Sequence, residues 1–267
     1  VIYYNYYNRA EDNTMSFNEF VNFIRNEVYS NEDMSDVLDE ETKSNIERLK
    51  NFASSEEINK QRTVAEIANI LEVEKNIADV EAVIFDLDDT LYSEKDYVRS
   101  GYKKISEYLQ NPQIELDLWD SFVKGEKAID VVFNKYGIIG KKEIALSIYR
   151  NQKPEIKLYD GVFEMISRIR KKKKIGIITD GRPVSQHAKI TALGIEVDKI
   201  VVTDELGGIE FRKPNKKAFV IMQECFEVPF EKMVYIGDNI LKDFVAPTNL
   251  GMKSIYFRNV NGLYYFS

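Results

Sequence analysis

Short apolar runs and helix-like repeats alternate along the last two thirds of the chain. Five runs rich in β-branched and aromatic residues predict buried strands. These runs are residues 82–85, 175–179, 199–203, 233–236 and 254–257. Apolar residues at helical spacing predict helices between them, at residues 162–170, 184–193 and 216–225. Strands that alternate with helices are typical of an α/β fold with a doubly wound parallel sheet.

The stretch between the first two predicted strands contains no strand-like run. From Glu94 to Pro154 its apolar residues follow helical spacing, which predicts a set of amphipathic helices. We therefore expect a helical insertion at residues 93–155. Residues 81–92 and 156–267 are then left to form the α/β core.

The first 80 residues differ from the rest in charge. They contain 8 Lys and Arg against 17 Asp and Glu, a net charge of −9, whereas residues 81–267 carry a net charge of +2. Apolar residues at helical spacing predict three amphipathic helices here, and the segment is distantly similar to a helical insertion of bacterial lipid-type exporters. We interpret it as a separate acidic helical extension that binds a protein partner or mediates self-association.

Acidic residues follow two of the predicted strands at the point where each strand ends. Asp86 and Asp88 come directly after the first strand, and Asp238 and Asp243 follow the fourth. The carboxyl ends of parallel strands are where α/β sheets place their sites. Because clustered carboxylates are costly to bury without a positive charge, the pattern predicts a divalent metal ion at this edge.

Two further segments supply groups that carboxylates lack. The second predicted strand ends at Thr179 and Asp180, which offer a hydroxyl group and backbone N–H groups suited to phosphate oxygens. Lys213 precedes Pro214, which disfavours helix at the lysine and favours an extended placement. An ammonium group beside clustered carboxylates can stabilise an incoming anion.

Taken in order, these segments resemble the four motifs of the haloacid dehalogenase (HAD) superfamily. The matching residues are the DLDDT sequence at 86–90, Thr179, Lys213 and the GDNILKD sequence at 237–243. The resemblance extends from about residue 80 to residue 267. It implies a Rossmann-like core, and it identifies the insertion at 93–155 as the helical cap that many members place over their site.

The resemblance also implies roles for individual residues. Asp86 would be the nucleophile that forms an aspartyl phosphate, and Asp88 would be the general acid and base. Thr179, the backbone N–H of Asp180, and Lys213 would bind the phosphoryl oxygens. Thr179 and Lys213 thus join the two aspartates as catalytic residues.

A Mg²⁺ cofactor is implied by the same resemblance. Its ligands would be the Asp86 carboxylate, the backbone carbonyl of Asp88 and the Asp238 carboxylate, completed by water and a phosphate oxygen. Asp243 would bind metal-bound water or orient Lys213. The expected metal site thus comprises Asp86, Asp88, Asp238 and Asp243.

Asp88 narrows the implied activity, because dehalogenases of this fold lack an Asp at that position and the related ion pumps carry Thr. The expected function is hydrolysis of a small phosphorylated metabolite, either a phosphosugar or a nucleotide. Residues 176–194 resemble nucleotide and sugar-acid phosphatases, and residues 203–214 resemble phosphatase domains of bacterial surface-sugar gene clusters. A phosphomutase of the same fold and a phosphate-recognition module with little turnover are the alternatives.

Composition adds expectations about compartment and partners. The net charge of −7 argues against a nucleic-acid partner. We find neither an apolar run long enough to span a membrane nor a signal peptide, so we expect a cytoplasmic protein without a membrane partner. The single cysteine, Cys225, fits a reducing compartment and is predicted to be buried in its helix. His187, the only histidine, is predicted to be a surface or helix residue.

Several polar and aromatic residues receive structural predictions. Asp89, Asn239 and the side chain of Asp180 are expected to act in turns or helix caps. Four aromatic residues near the cap are candidates to line the substrate pocket, although core packing is the commoner fate at helical spacing. They are Tyr92, Tyr97, Tyr102 and Trp119.

Overall fold

The computed structural model describes residue 70, residues 73–259 and residues 262–263. The chain divides into two compact units, Val1–Glu72 and Val73–Ser267. The helices predicted for the N-terminal extension lie almost entirely outside the described residues. Their role in docking or self-association therefore stays a prediction.

Five parallel strands form one sheet in the order β3-β2-β1-β4-β5. The strands are β1 (Ala82–Phe85), β2 (Lys174–Thr179), β3 (Lys199–Val202), β4 (Met233–Gly237) and β5 (Lys253–Tyr256). The last residue of β1, Phe85, is in register with Ile177 of β2 and Ile236 of β4. The carboxyl ends of these three strands therefore meet at one edge, where the winding direction of the chain reverses and leaves a crevice.

Helices flank this sheet, which confirms the predicted α/β class. The described helices are α1 (Glu94–Leu109), α2 (Gln113–Val123), α3 (Ala128–Lys135), α4 (Lys142–Arg150), α5 (Val162–Ile169), α6 (Pro183–Leu193), α7 (Lys217–Phe226) and α8 (Val245–Leu250). On one face Phe219 of α7 packs edge-on against Tyr235 of β4, with ring centroids 5.0 Å apart. Among the described residues no helix is both long enough and apolar enough to cross a bilayer.

Helices α1 to α4 lie between β1 and β2 in the chain and have an apolar core of their own. Ile105, Leu118 and Val132 are at its centre, all essentially inaccessible to solvent. Helices α1 and α4 approach closely at Gly101, where a Cβ atom would lie 2.3 Å from the Tyr149 ring. Glycine at this position therefore sets the spacing of the two helices.

The two ends of this insertion are joined to each other. Tyr92 and Leu158 form an isolated antiparallel bridge, and the backbone N–H of Tyr159 donates to the Leu91 carbonyl at 2.9 Å. The chain therefore leaves the core and returns to it at adjacent points.

The prediction that Cys225 is buried is wrong, since its side chain is exposed. Helix α7 buries Ala218, Phe219, Met222 and Phe226. At 3.6 residues per turn these positions span an arc of about 100°, and Cys225 lies about 20° outside it on the solvent side. His187 is at the surface as predicted, where its Nε2 atom lies 2.7 Å from Glu205 Oε1.

The two faces of α7 provide a paired stability test. Met222→Ala should lower the free energy of unfolding by about 2–5 kcal/mol, because it removes a fully buried side chain and leaves a cavity. Cys225→Ala, three residues further along the same helix, should change it by less than about 0.5 kcal/mol. Urea unfolding measures both values. Equal losses would contradict the observed orientation of the helix.

Candidate active site

Lys213 is the charged centre of the crevice. Its Nζ atom lies 2.7 Å from Asp86 Oδ1 and 2.8 Å from Asp243 Oδ1, and it donates to the Tyr235 hydroxyl at 2.9 Å. The lysine side chain is fully buried, so its charge is balanced by the two carboxylates. Its backbone N–H donates to Asp180 Oδ1 at 3.0 Å, which fixes the loop that carries it.

Three carboxylates converge beside this ammonium group. One ligand atom each from Asp86, Asp238 and Asp243 lies within 4.8 Å of the others, and all three residues are buried. Asp86 is held at the end of β1 by its backbone N–H, which donates to the Ile236 carbonyl at 2.8 Å. Asp243 Oδ2 accepts a hydrogen bond from the Asn239 backbone N–H at 2.9 Å. Three of the four strand-end carboxylates predicted to lie together are thus in one cluster.

One ammonium group does not neutralise this cluster. Burial raises the pKa of Asp86 to about 7 despite the opposing Lys213 charge. Burial, together with repulsion from Asp86 and Asp243, raises the pKa of Asp238 to about 9. A bound cation would favour the ionised forms of these groups. Buried carboxylate oxygens at this spacing are the donors that Mg²⁺ prefers, so the residues present fit such an ion.

Asp88 lies beside the cluster and is held by helix α6. Lys189 Nζ donates to Asp88 Oδ1 at 2.7 Å, and Gln186 Nε2 donates to Asp88 Oδ2 at 2.8 Å. The Tyr92 hydroxyl also donates to Asp88. Burial alone would raise the pKa of Asp88, but the Lys189 charge and these hydrogen bonds outweigh it and lower the pKa. Gln186 also donates to Thr179 Oγ1 at 2.5 Å, which links the two predicted catalytic residues.

The Asp180 side chain is an anchor within this edge of the sheet. Its Oδ1 atom accepts a hydrogen bond from the Thr203 hydroxyl at 2.9 Å, and its Oδ2 atom accepts one from Lys242 Nζ at 2.9 Å. Burial would raise its pKa, but the charges of Lys213 and Lys242 lower it. This carboxylate therefore has structural contacts, which are long-range and differ from the turn or helix cap predicted from the sequence.

Asp89 and Asn239 have the expected structural contacts. Asp89 Oδ1 accepts a hydrogen bond from the Glu94 backbone N–H at 2.9 Å, at the start of α1. Asn239 Oδ1 accepts one from the Leu241 backbone N–H at 3.0 Å, closing a turn after β4.

A cavity of about 390 Å³ opens onto this network. Core residues including Asp86, Asp88 and Asp238 form one wall, and insertion residues including Tyr97, Leu146 and Arg150 form the other. Of the four aromatic candidates, Tyr97 lines the cavity. Tyr102 and Trp119 pack in the apolar core of the insertion instead, and Tyr92 contacts Asp88.

Gln186, Lys189 and Lys242 are among the polar residues of the network that sequence reasoning missed. Gln186 and Lys189 lie in the buried stripe of α6, together with Ile190 and Leu193. The available signal was helical spacing, which puts a glutamine and a lysine on the same face of α6 as Ile190 and Leu193. A charge on an apolar face requires a partner. Lys242 gives no comparable signal.

Comparison with known proteins identifies relatives of this chain. A family model described as haloacid dehalogenase-like hydrolase matches residues 83–257. A protein of Methanopyrus kandleri named glyceraldehyde 3-phosphate phosphatase is 27% identical over 201 residues, which is 67% of this chain and 84% of the relative. A protein of the same name from Methanocaldococcus jannaschii is 26% identical over 194 residues, covering 66% of this chain and 84% of the relative.

A solved structure shares the fold. The crystal structure of the HAD hydrolase YfnB from Bacillus subtilis, described as bound to magnesium, has a TM-score of 0.51 and 21% sequence identity. It covers 66% of this chain and 88% of YfnB. At this identity the likeness concerns the arrangement of the strands and helices.

The pair formed by Lys189 and Asp88 leads to a prediction about stability. Lys189→Met keeps the length of the side chain but leaves the Asp88 carboxylate without its ammonium partner, so the free energy of unfolding should fall by about 1.5–3 kcal/mol. Lys253→Met is the matched control, because Lys253 pairs with Asp79 on the surface and should leave stability almost unchanged. Similar urea midpoints for the two variants would contradict a structural role for the buried pair.

Gly237 leads to a second prediction. A Cβ atom there would lie 2.4 Å from Asp243 Oδ2, so Gly237→Ala should displace this carboxylate and destabilise the protein by about 1–3 kcal/mol. In the control Gly176→Ala, the new methyl group meets the flexible end of Met222, which can move aside. Thermal unfolding of both variants checks the prediction, and a larger loss at Gly176 would contradict it.

Proposed function

Because the chain belongs to the haloacid dehalogenase-like hydrolase family, we propose that it is a Mg²⁺-dependent phosphatase of small phosphorylated metabolites. Membership confirms the family resemblance found in the four sequence motifs. The observation that carries the proposal is the cluster of Asp86, Asp238 and Asp243 around Lys213, with Asp88 held nearby at the edge of the cavity.

We assign Asp86 as the nucleophile. One of its carboxylate oxygens attacks phosphorus, the bond from phosphorus to the ester oxygen breaks, and an aspartyl phosphate forms. Asp88, in its protonated form, donates a proton to the leaving oxygen as that bond breaks. In the second step water attacks phosphorus, the bond from phosphorus to the Asp86 oxygen breaks to release phosphate, and Asp88 takes a proton back from the water. The hydrogen bonds from Lys189 and Gln186 support this role, because they fix the carboxylate at the cavity wall.

Phosphoryl oxygens are bound by Thr179, the backbone N–H of Asp180, and Lys213 in this proposal. The Thr179 hydroxyl accepts a hydrogen bond from Gln186 and so can donate its own proton to an oxygen of the substrate. Lys213 already has three acceptors within 2.9 Å. A phosphate oxygen that binds this ammonium group would compete with these contacts.

Mg²⁺ would be held by the carboxylates of Asp86 and Asp238 and by the backbone carbonyl of Asp88. When bound, it supplies positive charge that offsets the repulsion between the phosphate and the carboxylates. Both oxygens of Asp243 have contacts, with Lys213 and with the Asn239 backbone. These contacts support orientation of Lys213 as the main role of Asp243.

The insertion at 93–155 serves as the cap in this proposal. Tyr97, Leu146 and Arg150 already form one wall of the cavity, so the insertion limits the size of the substrate and shields the aspartyl phosphate from bulk water. The cavity is at the small end of the range for ligand sites. A three-carbon sugar phosphate, the class named in the archaeal relatives, fits this volume. The cytoplasmic location stays a prediction.

Phosphate release tests the proposed function directly. We expect release from glyceraldehyde 3-phosphate or another member of a panel of sugar phosphates and nucleoside monophosphates, with loss of activity in EDTA and recovery with Mg²⁺. Asp86→Asn should reduce kcat by about three orders of magnitude or more, because it removes the nucleophile. Asp88→Asn should reduce it by about 10²–10⁴-fold.

Asp79→Asn is the control, since Asp79 is exposed and forms a surface ion pair. It should retain wild-type kcat. Release that persists at the wild-type rate in Asp86→Asn would overturn the proposed mechanism. Interconversion of sugar phosphate isomers with little free phosphate would identify a phosphomutase, and binding without turnover would identify a recognition module.

A further inference from the structure

Five cationic side chains line the described part of the cavity, namely Arg150, Arg182, Lys189, Arg212 and Lys242. Three of them have carboxylate partners. Lys189 pairs with Asp88, Arg212 with Asp204 and Lys242 with Asp180, at 2.6 to 2.9 Å.

The other two differ. Within the part of the chain that the structure describes, the guanidinium groups of Arg150 and Arg182 form neither an ion pair nor a hydrogen bond. Arg150 is half-buried and Arg182 is exposed. A ligand entering the cavity can therefore reach both groups.

A specific contact joins the segments that carry the two arginines, at the point where the insertion meets the core. The Ser185 hydroxyl donates to the backbone carbonyl of Arg150 at 2.9 Å. This bond fixes the end of α4 in the insertion against the first turn of α6 in the core. Arg182 immediately precedes that turn, so this short segment joins the backbones of the two arginines. Both guanidinium groups line the cavity and can pair with an anion that enters it.

The distance from the arginines to the proposed phosphate-binding residues limits the size of that anion. Arg182 is three residues from Thr179, so their Cα atoms are at most about 11 Å apart. A molecule whose phosphate contacts Thr179 can therefore place its far end against the arginines if it is a few carbons long. A guanidinium group matches the planar oxygen pair of a carboxylate, and it also binds phosphate.

We propose that Arg150 and Arg182 bind a second anionic group of the substrate. The preferred substrates are then phosphomonoesters that carry a carboxylate or a second phosphate, rather than those with a neutral far end. This inference rests on the proposed phosphatase activity and specifies the substrate class of the same site.

Matched substrate pairs test the inference. Glycerate 3-phosphate and glyceraldehyde 3-phosphate differ in having a carboxylate or an aldehyde, and fructose 1,6-bisphosphate and fructose 6-phosphate differ in the second phosphate. We expect kcat/KM to favour the member that carries the second anionic group in at least one pair by about tenfold or more, through a lower KM. The pair that shows the preference identifies whether the arginines bind a carboxylate or a phosphate.

Arg150→Gln and Arg182→Gln should each reduce that ratio of kcat/KM values by about tenfold. Arg150→Lys and Arg182→Lys keep the charge but lose the planar fork, and should give intermediate ratios. Arg99→Gln is the control for net charge, because Arg99 stacks on Trp119 in the insertion, 4.1 Å from the ring centroid, and does not line the cavity. Its ratio should equal that of the wild type.

The outcomes separate this inference from the proposed function. Release that depends on Asp86 but shows no preference within either pair overturns the inference alone. So does a preference that survives both glutamine substitutions. Absence of phosphate release from all four compounds and the wider panel overturns the proposed function, and the inference with it.

Discussion

The buried ammonium group of Lys213 is the interaction on which this edge of the sheet depends. A parallel sheet brings the ends of β1 and β4 together, and both strands end in aspartates. The repulsion between Asp86 and Asp243 is offset because Lys213 Nζ lies within 2.8 Å of both. Lys213 is in turn held by Asp180, so the end of β2 is joined to the same charge network.

The core and the insertion contribute opposite walls of one cavity, and helix α6 joins them. Its buried face holds Asp88 through Gln186 and Lys189, while its first turn binds the end of α4 through Ser185. Lys189 also lies 4.3 Å from the Tyr97 ring centroid in the insertion. A change in the position of the insertion would therefore alter the contacts of α6 that hold the Asp88 carboxylate.

Sequence reasoning was most successful where chemistry coincides with strand ends. The β1 and β4 aspartates could be placed together, because apolar runs identify buried strands and parallel strands share one edge. The partners on α6 could not, since helical spacing does not show which strand end a helix faces. The prediction that Cys225 is buried failed for a related reason. A deviation of about 20° decides whether a helical side chain is buried, and periodicity alone does not resolve so small an angle.

The bridge between Tyr92 and Leu158 has a consequence for the evolution of this architecture. The chain leaves and rejoins the core at hydrogen-bonded neighbours. The arrangement of the strands therefore does not depend on the length or shape of the insertion. A segment of different size could be exchanged there without altering the strand register. The fold thus separates inherited chemistry, fixed in the strands, from a replaceable part in which selectivity can diverge.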